Sequence, residues 1–210
     1  MQVLNNFLAI KSKIVRQSFN TKLVVVTKNQ QIDNINPLIQ ANHFDFGENR
    51  VQEAFLKWRN LIQINSKLKL HLIGKLQSNK AKDAFEIFHY IHTLDNEKLA
   101  KIFANCENNS LKKIKYFIQV NIGDEPQKNG ISIHEASMFI KYCIYDLKLN
   151  IIGLMCIPPS SLDPSQYFKN LAKIAKKNSL NELSMGMSSD YECAINYGST
   201  YVRVGSKIFS

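Results

Sequence analysis

Lys28 is the first residue whose type and place could do chemistry, since it ends the apolar run KLVVVTK. A lysine directly after a strand keeps its stem in the core and carries its amine at the strand's carboxyl end. Desolvation there would lower its pKa and make the free amine a nucleophile toward aldehydes. The plainer alternative is a side chain that snorkels to solvent at a strand end. A second group of candidates closes the chain, in LSMGMSSDYECAINYGSTYVRVGSKIFS. Ser184, Ser188, Ser189, Ser199, Thr200 and Ser206 supply hydroxyls there, and Gly186, Gly198 and Gly205 keep the backbone approachable. Exposed N–H groups at helix starts with hydroxyls beside them make a phosphate site without a P-loop. Small residues also mark tight turns, but two such loops together favour phosphate.

Two further segments carry candidate residues. In FGENRVQE, residues 46–53, Glu48 and Asn49 follow a strand and precede a helix, where capping is the expected role of either one. In HLIGKLQSNK, residues 71–80, the Gly-Lys pair lacks the GxxxxGK[ST] spacing, which excludes a P-loop. His71, inside an apolar run, reads as a core or supporting histidine rather than a base. The chain holds no HExxH and no GxSxG.

These residues need elements to bring them together. Periodicity places strands at Leu23–Thr27, near His43–Phe46, and at Leu68–Ile73, Tyr90–Leu94, Tyr116–Ile122, Asn150–Cys156, Glu182–Met185 and Tyr201–Val204. Helices are expected at Arg50–Ile62, Asn96–Asn105, His134–Tyr145, Pro164–Asn178 and Ser189–Tyr197, with Asp95 and Ser132 as caps and Pro164 at a first helical position. Strand–helix alternation of this kind predicts an α/β fold, a single closed (β/α)₈ TIM barrel of one domain over residues 1–210, with an open doubly wound sheet as runner-up. Most of the eight glycines stand at or just after a predicted strand, and in barrels ligands bind at the carboxyl ends of the strands. One ligand cavity with a lysine in its wall is the expectation.

Composition bounds the function. With 210 residues, 45% hydrophobic, the chain can bury a full core without disulfides. The net charge of +10 invites a nucleic-acid partner, but the lysines are spread along the chain and no aromatic–basic motif interleaves them. The four cysteines form no CxxC and have no histidine at metal-ligand spacing, so no metal is expected, and Cys143 and Cys156 read as buried small hydrophobes. No signal peptide and no membrane-length apolar run is visible, which predicts a cytoplasmic protein with no membrane partner.

Taken together, VVVTK, FGENRVQE, HLIGKLQSNK, NIGDEPQKNGI, IIGLMCIPP and the C-terminal segment resemble, in order and over nearly the whole chain, the pyridoxal 5′-phosphate (PLP) homeostasis proteins, the YggS/PROSC family. The resemblance implies a fold-type III barrel like the alanine racemase N-terminal domain. It implies that Lys28 holds PLP as an internal aldimine, that Ser188, Gly205 and Ser206 grip the phosphate, that Arg203 faces the pyridine nitrogen and that Asn49 lies against the ring. The chain departs from the family at Thr27 (usually serine), Arg50 (usually tyrosine), Leu70 (commonly tryptophan) and the IFS ending, and its N-terminal helix looks short.

The function so implied is PLP carriage and vitamin B6 homeostasis without catalysis, by a monomer that delivers PLP to apo-enzymes. The alternative is a PLP-dependent amino-acid racemase. That chemistry needs a second base, and neither Tyr191, Tyr197 nor Tyr201 has a clear claim to the role; the chain is also too short for a racemase's second domain. A basic nucleic-acid module would instead show salt-dependent binding and no chromophore.

Overall fold

In the computed structural model, which describes residues 2–210, eight short runs rich in β-branched and aromatic residues form the strands of a closed parallel barrel. The strands are β1 (Lys22–Val26), β2 (Asp45–Glu48), β3 (Lys69–Leu72), β4 (Tyr90–Leu94), β5 (Lys115–Gln119), β6 (Ile151–Met155), β7 (Glu182–Ser184) and β8 (Tyr201–Val204). Between and around them lie helices α1 (Gln2–Gln17), α2 (Ile32–Gln40), α3 (Val51–Ile64), α4 (Ala81–Ile87), α5 (Glu97–Asn108), α6 (Ile133–Lys141), α7 (Ser165–Lys177), α8 (Tyr191–Asn196) and α9 (Ser206–Phe209). Each strand pairs with the next in sequence, and β8 returns to β1 with Leu23 opposite Val202 and Val25 opposite Val204. That last pairing closes the barrel and excludes the open sheet.

Alternation along the strands sorts the side chains into two sets. Leu23, Val25, Phe46, Leu70, Leu72, Ile91, Ile118, Leu154, Val202 and Val204 point outward and pack beneath the helices in one large core. Val24, Tyr90, Phe117, Met155 and Tyr201 point inward and fill the barrel as a separate cluster. Helix α1 buries Phe7, Ile10 and Ile14, a three–four spacing that puts them on one face. Each such side chain taken fully from water contributes about 1.5–3 kcal/mol. The Asn6 amide donates to the carbonyls of Ile208, at 3.2 Å, and Ser210, at 3.1 Å, tying α1 to α9.

Some local expectations change. The N-terminal helix, expected to be short, runs 16 residues. Helix α5 is capped by Asn96, which accepts from the Leu99 N–H at 3.0 Å; Asp95 lies one residue too early. Ser132 does cap α6, accepting from the Glu135 N–H at 3.3 Å, and its hydroxyl also donates to the Glu135 carboxylate at 2.6 Å. Pro164 stands just outside α7, where Asp163 accepts from the Ser165 N–H at 3.2 Å. The stretch expected as one helix to Tyr145 passes after Lys141 into a π-helical turn, Tyr142–Asp146.

Candidate functional site

The carboxyl ends of β1, β2, β7 and β8 gather the residues singled out by sequence. Lys28 follows β1, Asn49 follows β2, Ser188 follows β7, and Gly205 and Ser206 follow β8. Because β1 pairs with both β2 and β8, the lysine and the C-terminal glycine, 177 positions apart by number (205 − 28), belong to adjacent strand ends. A Cβ on Gly205 would stand 2.9 Å from the Val26 carbonyl oxygen, so only glycine lets β8 leave the barrel this close to β1. The Gly205 N–H donates to the Ser188 hydroxyl at 3.3 Å, joining the loop after β7 to the loop after β8. Ser206 opens α9 on the exposed surface.

Lys28 is exposed, and none of the ion pairs among the described residues includes it. That exposure fits the plainer reading, a side chain that snorkels to solvent at the strand end. The backbone turns immediately after it, at Asn29, which adopts a left-handed φ of 59°. The strand end itself is held from outside the barrel. Glu48 is fully buried and accepts from the Thr27 hydroxyl at 2.7 Å, the Trp58 indole N–H at 2.8 Å and the Lys57 ammonium at 2.9 Å. Lys57 also donates to the Thr27 carbonyl at 2.7 Å. Glu48 thus neither caps α3 nor faces the barrel mouth; capping, its expected role, is overturned. Period-two alternation from Gly47 could have pointed it outward into α3.

Asn49 does not cap α3 either, since Arg50 occupies that position. Its backbone passes against Gly74: a Cβ there would lie 2.2 Å from the Asn49 carbonyl oxygen. Asn49 lines a cavity of about 330 Å³ with Arg50, Lys75 and Lys80. Another, of about 560 Å³, is lined by Lys128, Pro158, Met187, Ser189, Asp190 and Cys193 among others. Neither includes Lys28 or Arg203. A further cavity of about 170 Å³ at the ends of β5 and β6 is lined by Gln119, Asn121, Lys128 and Ile157, whereas sequence led to the expectation of one cavity with Lys28 in its wall.

Arg203 is buried inside the barrel, with Nη1 donating to the Ser184 hydroxyl at 2.6 Å and Nη2 to the Cys156 carbonyl at 3.0 Å. Burial lowers its guanidinium to about 10, against the pull of Cys156 and Asp190, so it remains a cation at neutral pH. Three candidate phosphate hydroxyls are otherwise engaged. Ser184 bonds Arg203 and His92, Ser199 donates to the Met185 carbonyl at 2.7 Å, and Thr200 accepts from the Leu183 N–H at 2.8 Å. The tight-turn reading holds for Ser199 and Thr200.

Sequence reasoning missed His92 altogether. It lies in β4 between Tyr90 and Leu94, and its Nδ1 stands 2.7 Å from the Ser184 oxygen while its Nε2 stands 2.9 Å from His71 Nδ1. His71 reaches Asp45 at 3.0 Å on its other side. Burial lowers the pKa of both rings, that of His92 strongly, which keeps them neutral. Their shared inward parity with Tyr90 and Tyr201 was the available signal.

Residues 2–210 match the family model described as the alanine racemase N-terminal domain. The chain is 34% identical to the pyridoxal phosphate homeostasis protein of Pasteurella multocida, covering 99% of this chain and 94% of that one. It is 32% identical to the protein of that name from Escherichia coli, covering 99% and 93%. Among solved structures, PipY of Synechococcus elongatus superposes with a TM-score of 0.91 without PLP and 0.89 with PLP bound, at 32% and 31% identity, each covering the whole of both chains. Alanine racemase from Corynebacterium glutamicum shares the fold at 15% identity and a TM-score of 0.73, this chain covering 60% of it.

Proposed function

Because the chain belongs to the alanine racemase N-terminal domain family and, within it, to the pyridoxal phosphate homeostasis proteins, we propose that it binds PLP at the carboxyl end of its barrel and acts in PLP homeostasis as a carrier, without catalysis of its own. The observation that carries this reading is the β1–β8 closure, which sets Lys28 and the Gly205–Ser206 turn side by side on one rim.

The residues present fit the group. When bound, PLP supplies an aldehyde that condenses with an amine, losing water to form a C=N bond, and a phosphate that anchors the molecule. Lys28 offers the amine. The turn after β8 and the Ser188 loop, joined through the Gly205 N–H, offer amides and hydroxyls to the phosphate. Arg203 uses Nη1 and Nη2 for protein contacts and has further N–H groups for the pyridine nitrogen. A donor-only cation opposite that nitrogen disfavours its protonation and makes the ring a poorer electron sink, which suits holding PLP more than transamination. Asn49 would lie against the ring, held by the close passage of Gly74.

Residues 1–210 act as one PLP-binding domain in this reading, a cytoplasmic monomer whose partners are PLP and the apo-enzymes that receive it, with no nucleic acid. No helix among the described residues is long and apolar enough to cross a membrane. A racemase needs a second base at the cofactor. Tyr201 is spoken for inside the barrel, where its hydroxyl accepts from Lys22 at 3.0 Å, and Tyr191 is buried with its hydroxyl raised to about 12. Neither arrangement favours that second reading.

The test is the visible spectrum of wild type and Lys28→Ala after PLP addition, followed by borohydride trapping and peptide mapping. A lysine-imine band in wild type, absent in the variant and trapped on Lys28, supports the reading. Label scattered over surface lysines would overturn it. Racemase and PLP-transfer assays on the loaded protein then separate catalyst from carrier.

A further inference from the structure

Five polar side chains from five strands form one continuous path through the barrel interior. Arg203 of β8 reaches Ser184 of β7 at 2.6 Å, Ser184 reaches His92 of β4 at 2.7 Å, His92 reaches His71 of β3 at 2.9 Å, and His71 reaches Asp45 of β2 at 3.0 Å. Arg203, Ser184, His92 and His71 are buried, and Asp45 is the partly exposed end. It stands at the start of β2, opposite the ligand rim, and lines a cavity of about 230 Å³ with Lys11, Lys22 and His43.

The direction of every bond in this path follows from its two ends. A carboxylate only accepts, so His71, a neutral ring, carries its proton on Nε2, donates to Asp45 and accepts at Nδ1. An imidazole nitrogen that accepts leaves the proton of a neutral ring on the other nitrogen. His92 therefore carries its proton on Nε2 and donates to His71 Nδ1. By the same step His92 Nδ1 accepts from the Ser184 hydroxyl, whose oxygen accepts in turn from the donor-only Arg203. No bond between Asp45 and Ser184 can be reversed while Asp45 is a carboxylate and both rings are neutral.

The ring planes are fixed as well. His71 stacks on Tyr90 with centroids 4.2 Å apart and planes 10° from parallel, and His92 stacks on Phe117 at 4.4 Å and 29°. The other titratable and charged groups facing the path are Tyr201 of β8, Lys22 of β1, His43 before β2, and, beside Arg203, Cys156 after β6 and Asp190 after β7. Asp190 is committed elsewhere, its Oδ1 accepting from the Met187 N–H at 2.6 Å.

We propose that Asp45, His71, His92 and Ser184 are positioning residues that orient Arg203 through a single one-directional hydrogen-bond chain, so that the far mouth of the barrel influences how tightly the cofactor is held. This rests on Arg203 as the partner of the pyridine nitrogen. Ser184 acts directly on the guanidinium, and Asp45 acts through three intervening side chains.

The test reads the chain first in protein without PLP. Nitrogen NMR of ¹⁵N-histidine-labelled wild type at pH 7 is expected to show both His71 and His92 neutral with the proton on Nε2. An imidazolium, or a proton on Nδ1 of either ring, overturns the proposal whether or not PLP binds. Ser184→Ala is expected to leave the His92 proton on Nε2, where His71 holds it, and to weaken PLP binding roughly tenfold, the scale of one lost hydrogen bond to a charged group. Asp45→Leu, which removes the terminal acceptor, is expected to free the His71 tautomer and weaken binding by about threefold, whereas Asp45→Asn, which keeps an acceptor oxygen, restores both. Unchanged affinity in Ser184→Ala and Asp45→Leu, each folded by circular dichroism, overturns the coupling. A wild type that binds no PLP defeats the proposed function instead, while the tautomers still decide the chain.

Discussion

Glu48 accepts the Thr27 hydroxyl at 2.7 Å, and that contact ties the end of β2 to the strand end that carries Lys28. The same carboxylate oxygen takes the Trp58 N–H and the Lys57 ammonium, and Lys57 grips the Thr27 carbonyl in turn. Replacing the family's usual serine by Thr27 keeps the hydroxyl this arrangement requires. Removing one member of a buried ion pair leaves the other charge uncompensated, so Glu48→Ala should cost about 3–5 kcal/mol. Thr27→Val keeps the shape and leaves Glu48 two donors, so it should cost only about 1 kcal/mol. Urea unfolding of the two variants checks the ranking; equal losses would mean that the carboxylate is not the organising group.

Lys28→Ala should separate binding from folding. Its side chain is exposed and outside every ion pair among the described residues, so stability should change by no more than about 0.5 kcal/mol. The visible band formed with PLP should vanish, while phosphate-dependent, non-covalent affinity remains measurable by fluorescence titration. A variant that unfolds readily would assign the lysine a structural role that the geometry gives it no partner to perform.

Much of this was legible in the residues. The strands Tyr90–Leu94 and Tyr201–Val204 match the alternation to the residue, and Gly205 after the second marks the rim. What could not be read was which face a polar residue takes and what meets it across the barrel. Glu48 looked like a cap because it stands between a strand and a helix, but its parity turns it into α3. His92 sits in a run that reads as plain core, and its partners Ser184 and His71 are 92 and 21 residues away. The hydroxyl of Ser184 looked available for phosphate until β8 brought Arg203 beside it. Contacts of this kind depend on closure, which no local window contains.

Gly74→Ala should disturb Asn49 without touching any other proposed cofactor contact. The added methyl would meet the Asn49 carbonyl oxygen at 2.2 Å and its Cα at 2.8 Å, both backbone atoms that cannot rotate away. The loop after β2 must shift, at a cost of about 1–3 kcal/mol. PLP binding should weaken, with the absorption maximum of the bound form displaced if Asn49 lies against the ring. A stable variant with wild-type affinity and spectrum would remove Asn49 from the site.

Acid should unfold this barrel through its histidines. Burial lowers His43 to about 4, and burial followed by the neighbouring Lys69 lowers His89 to about 4; His71 and His92 are depressed in the same direction. In the unfolded chain each ring returns to about 6.5. Between those values the unfolded state takes up protons that the folded state refuses. The stability contributed by these rings is therefore complete above about pH 6.5 and is lost as pH falls toward 4, at about 1.4 kcal/mol per pH unit for each histidine. Asp95, whose carboxyl burial raises, opposes the trend by at most one proton. Chemical denaturation at pH 7.5, 6.5, 5.5 and 4.5 should give a falling curve, steepest below 6.5. His43→Asn, at a ring packed edge-on against Phe7 and Phe46, should flatten that slope by one proton's worth while lowering stability at pH 7.5. A level profile down to pH 4.5 would mean that the buried rings are protonated in the fold, and the neutral pair at the centre of the barrel would go with them.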